Sequence, residues 1–112
     1  MKVAVPTSEG KLAAHFGHCE QFALFDVDQE NKCITNKEML TPPPHEPGLL
    51  PRWLAEKGAN LVIAGGMGAR AVNLFQENGI TVVLGAMESD PEKAVLSYLE
   101  GNLSTGSNLC DH

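Results

Sequence analysis

Apolar and polar positions alternate over the first third of the chain and later recur at helical spacing, so the sequence divides into two parts. Residues 2–7 and 21–28 have the strand period, and residues 21–28 carry apolar side chains on both faces, which indicates a buried strand. Pro6 is expected to end the first strand because proline lacks an N–H donor. A third strand, over residues 33–40, is poor in apolar residues, which is typical of a sheet edge. The first part is therefore predicted to be a meander.

The second part alternates helices with short β-branched strands. In chain order we expect helix 49–57, strand 61–64, helix 68–78, strand 80–84 and a helix that begins at Pro91. Asp90 marks the last helix start, because aspartate is a favoured N-cap and proline is a favoured first helical residue. Residues 8–11 are expected to form a turn and residues 12–19 an irregular loop, since histidines and a glycine there fit neither period.

This order predicts an α/β domain of three layers over residues 1–103, followed by a polar, flexible tail over residues 104–112. Right-handed crossovers give a mixed five-stranded sheet of order 3-2-1-4-5, in which strand 2 is antiparallel. In such sheets ligands bind at the carboxyl ends of the strands, where connections leave in opposite directions. That switch point is predicted between strands 1 and 4.

Two segments that carry chemistry meet at the predicted switch point. The loop after strand 1 contains His15, His18 and Cys19, which are ligands for soft metals. The segment after strand 4 contains three glycines within residues 65–68 and opens a helix, whose first N–H groups favour anions. Arg70 lies in the first turn of that helix, where a cation is unfavourable unless an anion binds nearby. The sequence therefore predicts metal ligands beside anion-stabilising N–H groups.

Composition excludes several classes of function. The net charge is −6, from 14 acidic and 8 basic side chains, and no basic run is present, so nucleic acid is an unfavourable partner. No apolar run approaches the roughly 20 residues of a membrane span, and the first residues do not form a signal peptide, so we expect a cytoplasmic protein without membrane contact. The three cysteines are widely spaced and form no CxxC pair, which argues against a disulfide framework or a zinc ribbon.

Four segments spread over nearly the whole chain combine histidine, cysteine and glycine. They are residues 15–19, the proline-flanked His45 with Gly48, residues 63–70, and residues 110–112. Together and in this order they resemble the nitrogenase iron-molybdenum cofactor biosynthesis domain family of small carrier proteins. The resemblance implies an RNase H-like topology and a capacity to hold anionic metal-sulfur clusters. One branch of that family, the orange protein, carries a molybdenum-copper sulfide cluster.

We therefore predict a non-catalytic carrier for an anionic metal-sulfur cluster, acting in cluster assembly or storage, with other cluster-assembly proteins as candidate partners. The cluster is of the iron-molybdenum, molybdenum-copper or iron-sulfur type, and no residue of the sequence discriminates among these. The predicted cluster-binding residues are His15, Phe16, Gly17, His18, Cys19, His45, Gly65, Gly66, Met67, Gly68 and Arg70. The predicted metal ligands are His15, His18, Cys19, Cys110 and His112.

Some of these residues also have structural interpretations. Cys19 can be a small buried residue, and Met67 can fill a gap where its loop packs. His45 lies on an exposed loop, and Cys110 with its neighbours can be a terminus that only scavenges metal. Cys33 begins an edge strand without ligand-type neighbours and is assigned to structure.

The predicted fold and motifs also suggest three other functions. An RNase H-like nuclease needs carboxylates on strands 1 and 4 to hold two magnesium ions, and neither predicted strand contains an acid, so nuclease activity is rejected. A nucleotide-binding or anion-binding regulatory module is the main alternative, because residues 65–68 resemble a phosphate loop. That segment lacks the GxGxxG spacing and the lysine of a Walker loop. An interaction domain with adventitious zinc binding is the third reading.

Overall fold

The computed structural model describes residues 1–13, 20–43, 49–101 and 103 of the chain. The strands are β1 (Lys2–Ser8), β2 (Lys11–Leu12), β3 (Gln21–Asp28), β4 (Cys33–Leu40), β5 (Leu61–Ile63) and β6 (Thr81–Val83). The helices are α1 (Leu49–Glu56), α2 (Ala69–Glu77) and α3 (Pro91–Glu100). The predicted mixed α/β class is confirmed. The predicted tail over residues 104–112 lies outside the described residues.

A single mixed sheet forms the centre of the fold. Five strands follow one another in the order β4-β3-β1-β5-β6, and the short β2 pairs with β1. β3 is antiparallel to both of its neighbours, whereas β1, β5 and β6 are parallel to one another. The strands β1, β4, β5 and β6 therefore all run in the same direction and end at one edge of the sheet, which we call the carboxyl edge.

Apolar clusters cover both faces of the sheet. On one face Ala4 of β1 packs in a cluster with Leu54 of α1 and Phe75 of α2. On the other face Val3 packs in a cluster with Val95 of α3. Leu54, Phe75 and Val95 are completely buried, and burying a side chain of this kind contributes about 1.5–3 kcal/mol. The helices thus lie on both faces and leave the carboxyl edge open to the connecting segments.

The last helix begins where its sequence signal predicts. The Asp90 carboxylate accepts hydrogen bonds from the backbone N–H groups of Glu92 at 2.9 Å and Lys93 at 3.4 Å. Pro91 occupies the first helical turn, and Gly101 ends the helix with a φ of 79°. Within the described ranges, none of the helices is both long and apolar enough to cross a membrane.

Two predictions about the first strand are wrong. β1 continues through Pro6, which pairs with Phe22 of β3, and ends only at Ser8. The irregular loop was predicted to begin at residue 12, but Lys11–Leu12 form a second strand that folds back on β1. The turn between them has positive φ at Glu9 (54°) and Gly10 (80°), as a two-residue hairpin turn requires.

Candidate functional site

The connecting segments that follow β2, β4, β5 and β6 all begin near the carboxyl edge. The segment after β2 starts at Ala13, whose N–H donates to the Pro6 carbonyl at 2.8 Å, near the end of β1. The segment after β4 starts at Thr41. The preceding residue, Leu40, pairs with Phe22, which also pairs with Pro6 of β1, so this segment too begins near the carboxyl edge. The parallel strands β5 and β6 end beside each other. Three of the four predicted site segments are therefore attached to this edge.

The glycine segment after β5 rises from the core to the surface. The Gly65 carbonyl accepts from the Gly85 N–H at 2.9 Å, and the Ala64 carbonyl accepts from the Ala86 N–H at 3.2 Å. Gly65 and Gly66 are buried, while Gly68 is exposed. This segment is therefore fixed to the connection that follows β6, and its exposed end faces solvent at the carboxyl edge.

Gly68 is not required by the backbone conformation. Its φ is −67° and its ψ is 152°, which any residue can adopt. A Cβ added at Gly68 would meet none of the described atoms within 4 Å. The absence of a side chain at Gly68 therefore leaves space at the start of α2 that no atom of the described residues fills.

Among the described residues, no side chain compensates the positive end of α2 at its first turn. Its N-cap, Gly68, has no side chain to accept from the first N–H groups, and no acidic residue lies in the first turn. By contrast, α3 is capped by the Asp90 carboxylate and carries Glu92 in its first turn. Helix N-termini carry roughly half a unit of positive charge and bind anions. Of the two helices, α2 is the one that favours an external anion.

Arg70 adds a full positive charge to this end of α2. It lies in the first turn and is exposed. Within the described part of the chain, no carboxylate forms an ion pair with it. Because the helix dipole disfavours a cation at this position, an anion bound between the dipole and the guanidinium would relieve the repulsion.

Met67 lies beneath this surface. Its side chain is completely buried in the cluster that α1 and α2 form on the sheet, together with Phe75 and Ile80. Of the two roles that the sequence allowed, packing beneath the glycine segment fits these surroundings. A thioether contact to a bound cluster stays a prediction.

The segment that contains the predicted histidines is held to β1 at both ends. The Ala13 N–H donates to the Pro6 carbonyl at 2.8 Å, and the Glu20 N–H donates to the Thr7 carbonyl at 2.7 Å. These acceptors are successive carbonyls near the end of β1 and point to opposite sides of the strand, so the chain leaves on the side of β2 and returns on the side of β3. Both anchors thus lie near the carboxyl edge.

Glu20 also holds the β1–β2 hairpin in place. One of its carboxylate oxygens accepts from the Glu9 N–H at 2.7 Å and from the Ser8 hydroxyl at 3.2 Å. Glu9 has a positive φ of 54°, a conformation that is costly for a residue with a side chain and that persists when its surroundings hold it. Glu20 was not predicted as a site residue, because partners 11 and 12 residues away leave no local pattern.

The predicted site residues outside the glycine segment and α2 belong to parts of the chain that the structure does not describe. His15, Phe16, Gly17, His18, Cys19, His45, Cys110 and His112 lie outside the described residues. Among the residues that are described, no three histidine, cysteine or acidic side chains are grouped so as to hold a metal ion. Cys33 is exposed at the start of β4. The described part of the site thus offers backbone N–H groups and Arg70.

Comparison with known proteins places the chain in a family. The profile of the dinitrogenase iron-molybdenum cofactor family matches residues 1–101. The chain belongs to this family. The predicted family resemblance is thereby confirmed.

Relatives of this family member share its length and its fold. The uncharacterized protein MJ0580 of Methanocaldococcus jannaschii is 32% identical over 108 residues, which cover 92% of this chain and 89% of that protein. The crystal structure of PH0822 superposes with a TM-score of 0.85 at 29% identity, over 94% of each chain. The apo form of the orange protein from Desulfovibrio gigas superposes with a TM-score of 0.70 at 24% identity, over 96% of this chain and 93% of that one. The likeness to the orange protein shows a shared fold.

Proposed function

We propose that this protein is a non-catalytic carrier for an anionic metal-sulfur cluster and acts in metallocluster assembly or storage. The main support for this function is the arrangement of segments at the carboxyl edge. There α2 follows β5, and its first turn carries the exposed Arg70 and no capping side chain from the described residues. β5 lies next to β1. The backbone of β1 accepts hydrogen bonds from both ends of the segment that contains His15, His18 and Cys19. Membership of the iron-molybdenum cofactor family supports a cluster as the ligand.

The two sides of this site have different chemical roles in the proposal. The N–H groups at the start of α2 and the Arg70 guanidinium bind the sulfide surface of the cluster by hydrogen bonds and charge. His15, His18 and Cys19 bind metal, because imidazole and thiolate are ligands for copper, iron and other transition metals. Gly65, Gly66 and Gly68 supply space for a bulky ligand, and Met67 supports them from below.

The remaining predicted residues complete the proposed site. Phe16 and Gly17 lie on the same segment as the two histidines, and His45 lies on the segment after β4. Cys110 and His112 are proposed as further ligands from the C-terminal segment. Iron-molybdenum, molybdenum-copper and iron-sulfur clusters all fall within the proposal, since each presents sulfide and negative charge.

Other parts of the proposal concern the topology and the cellular context. The sheet order, with one antiparallel strand between parallel ones, supports an RNase H-like topology. A cytoplasmic location and partners among cluster-assembly proteins belong to the same proposal. The net charge of −6 does not oppose it strongly, because at about 0.15 M salt charges farther away than about 8 Å are largely screened.

Anaerobic reconstitution tests the function directly. The protein is incubated with tetrathiomolybdate plus copper(I) and, separately, with iron plus sulfide, then desalted and analysed for metal content and visible absorption. We expect at least one mixture to leave metal in stoichiometric amount, with a visible spectrum that differs from that of the free reagents. Loss of all metal on desalting from both mixtures would contradict the proposal.

The open start of α2 also suits a phosphate group, so an anion-binding regulatory module is the second candidate. Titration with inorganic phosphate and with nucleotides, followed by calorimetry, separates the two functions. Binding of a nucleotide in the micromolar range, together with no retention of metal clusters, would favour the second candidate. Retention of zinc alone would favour an interaction domain with adventitious metal binding.

A further inference from the structure

Among the described strands, β6 is the last on its side of the sheet, and its outer backbone groups have no partner there. The Thr81 N–H donates to the Asn60 carbonyl at 3.0 Å, and the Val83 carbonyl accepts from the Ala64 N–H at 2.9 Å, so both residues face β5. Since successive residues of a strand direct their backbone groups to opposite sides, the N–H and the carbonyl of Val82 face outward. Within the described part of the chain, neither group makes a hydrogen bond.

Leu84 continues this outward row of backbone groups. In a trans peptide the N–H of one residue points away from the carbonyl of the residue before it. The Leu84 N–H therefore points away from the Val83 carbonyl, which faces β5. The Leu84 carbonyl likewise points away from the Gly85 N–H, which donates to the Gly65 carbonyl at 2.9 Å. Val82 and Leu84 thus each present one donor and one acceptor at the outer edge of β6.

The two outer strands differ in how they are protected against pairing with another chain. An exposed edge is a template for strand addition unless charge, proline or a bulge blocks it. β4 carries Lys37 and Glu38 side by side, and its ladder with β3 is irregular between Asp26 and Val27. Residues 80–85, by contrast, contain no charged side chain and no proline. Of these two edges, β6 is therefore the one suited to strand addition.

The outer edge of β6 is complementary to a second copy of itself. If two copies pair antiparallel about Val83, then Val82 of one copy lies opposite Leu84 of the partner subunit, and each such pair exchanges two hydrogen bonds. Every outward group is then satisfied. Val83 packs on the α3 side of the sheet, beside a groove of about 240 Å³ at the end of α3, which leaves room for Val83 of the partner subunit. Val82 and Leu84 pack on the α2 side, so every facing pair is apolar.

The charges of α2 favour the same arrangement. α2 begins at the carboxyl edge with the exposed Arg70 in its first turn and ends with the exposed Glu77, and no basic residue lies in its last turn. Because antiparallel pairing reverses one copy relative to the other, the start of each α2 lies toward the end of the α2 of the other copy. The positive start and the negative end of the helix dipole, with Arg70 and Glu77, are thus brought toward each other. Parallel pairing would instead bring like charges together.

We propose that two copies of this chain associate through β6 into a dimer with twofold symmetry, in which one sheet continues into the other. The contact is small, because β6 has only three residues and stable interfaces bury about 1,600 Å². The dimer is therefore weak, with a dissociation constant of about 100 μM. It forms in the apo protein, so its test is independent of cluster binding.

Hydrogen exchange tests the interface in the unchanged protein. The amides of Val82 and Leu84 should exchange about fourfold more slowly at about 1 mM protein than at about 10 μM, because mass action shifts the chain into the dimer. Sedimentation equilibrium over the same range gives the dissociation constant. A monomer at every concentration, or a slowing confined to β4, would overturn the inference. Slow exchange of Val82 at both concentrations would also overturn it, because another segment of the same chain would then cover the edge.

Val82→Pro removes one outward N–H and is expected to leave the ladder with β5 intact, since proline is tolerated on an edge strand where its missing N–H would face solvent. By symmetry it removes half of the hydrogen bonds between the copies, so dimerisation should weaken by at least about tenfold. Val82→Ile is the matched control, because it keeps the N–H and the apolar pair, and it should dimerise like the wild type. Equal dimerisation of the two variants would overturn the inference.

The Ala64 amide reports whether β6 still pairs with β5 in each variant, because it donates to the Val83 carbonyl. It should remain protected from exchange in Val82→Pro. If that protection is lost, Leu84→Pro takes its place, since it removes the other outward N–H just beyond the last residue of β6. The same loss of dimerisation is expected, and an unchanged dimer in Leu84→Pro would contradict the proposed pairing.

Discussion

Replacement of Gly68 by aspartate tests whether α2 binds an anion at its start. The N-cap of α3 provides the template, because Asp90 there has extended backbone angles and accepts from the second and third helical N–H groups. Gly68 has a similar extended conformation, and an added Cβ meets no described atom within 4 Å. In Gly68→Asp the new carboxylate should therefore cap the N–H groups of Arg70 and Ala71 without disturbing the fold.

The added carboxylate should have opposite effects on the stability of the protein and on the binding of an anion. A carboxylate at this position should stabilise the protein by about 0.5–1 kcal/mol, through the cap and the helix dipole. The same carboxylate would repel a bound anion by about 4 kcal/mol per unit charge at 4 Å and an effective dielectric constant of 20. Because Gly68 is exposed, solvent screening reduces this repulsion to about 1–2 kcal/mol, which weakens binding by about 5- to 30-fold.

Gly68→Asn is the matched control, since it can form a similar cap without the charge. Stability is measured by urea unfolding, followed by the fluorescence of Trp53, which packs edge-on against Phe22 at 6.0 Å and is the chain's single tryptophan. Cluster retention is measured by metal content after desalting. The reasoning is refuted if Gly68→Asp retains as much cluster as Gly68→Asn, or if Gly68→Asp is less stable than the wild type.

Three further changes test other parts of the molecule. Arg70→Ala should weaken cluster retention by about 5- to 10-fold through the lost charge-assisted hydrogen bond. Lys57→Ala, which removes a charge directly after the last residue of α1, should leave retention unchanged. Equal retention in both variants would make Arg70 an ordinary surface charge. Glu20→Ala should lower stability by about 1–2 kcal/mol by removing the acceptor for the β1–β2 hairpin, and Glu20→Gln, which keeps an oxygen acceptor, should recover most of it in urea unfolding. The pKa of Asp28 lies below its ordinary value of 3.8, mainly because the Asn31 side chain donates to the carboxylate. The stabilisation by Asp28 is therefore present above pH 3.8 and is lost as the pH falls through the lowered pKa. Over that pH range, Asp28→Asn should lose less stability than the wild type in urea unfolding. Equal losses in the two proteins would show that the hydrogen bond to Asp28 does not contribute.

Parts of the fold follow directly from local sequence signals. Residues 21–28 are observed as β3 with the predicted bounds, because apolar side chains on both faces are bounded by a polar turn. The start of α3 follows from Asp90 and Pro91, whose effects on a helix end are local. The common edge of the connecting segments follows from strand direction, which the alternation of strands and helices determines.

The errors arise where distant residues decide the outcome. Pro6 was expected to end its strand, but proline interrupts only the side of a strand that its N–H faces, and β3 remains paired on the other side. β2 was missed because Glu9 and Gly10 are not a strong hairpin signal and the strand has only two residues. The hydrogen bonds of the Glu20 carboxylate join residues that are distant in sequence, so no periodicity predicts them.

The glycine segment shows how far a motif can be interpreted. Its position after β5 and before α2 was predicted, and it is observed. Its conformation was not, because the sequence does not distinguish a glycine needed for a positive φ from one that only leaves space. Gly68 has ordinary backbone angles, and no atom of the described residues lies within 4 Å of an added Cβ, which indicates the second case.

The most direct test of an anionic cluster bound at the carboxyl edge is a comparison of amide NMR spectra. The apo protein is compared with the protein loaded with tetrathiomolybdate and copper(I), which are both diamagnetic. We predict that shift changes concentrate on the N–H groups of residues 65–71 and on Ala13 and Glu20, while the β3–β4 turn at the opposite edge is unchanged. Changes centred away from the carboxyl edge, with residues 65–71 unaffected, would contradict the proposed site.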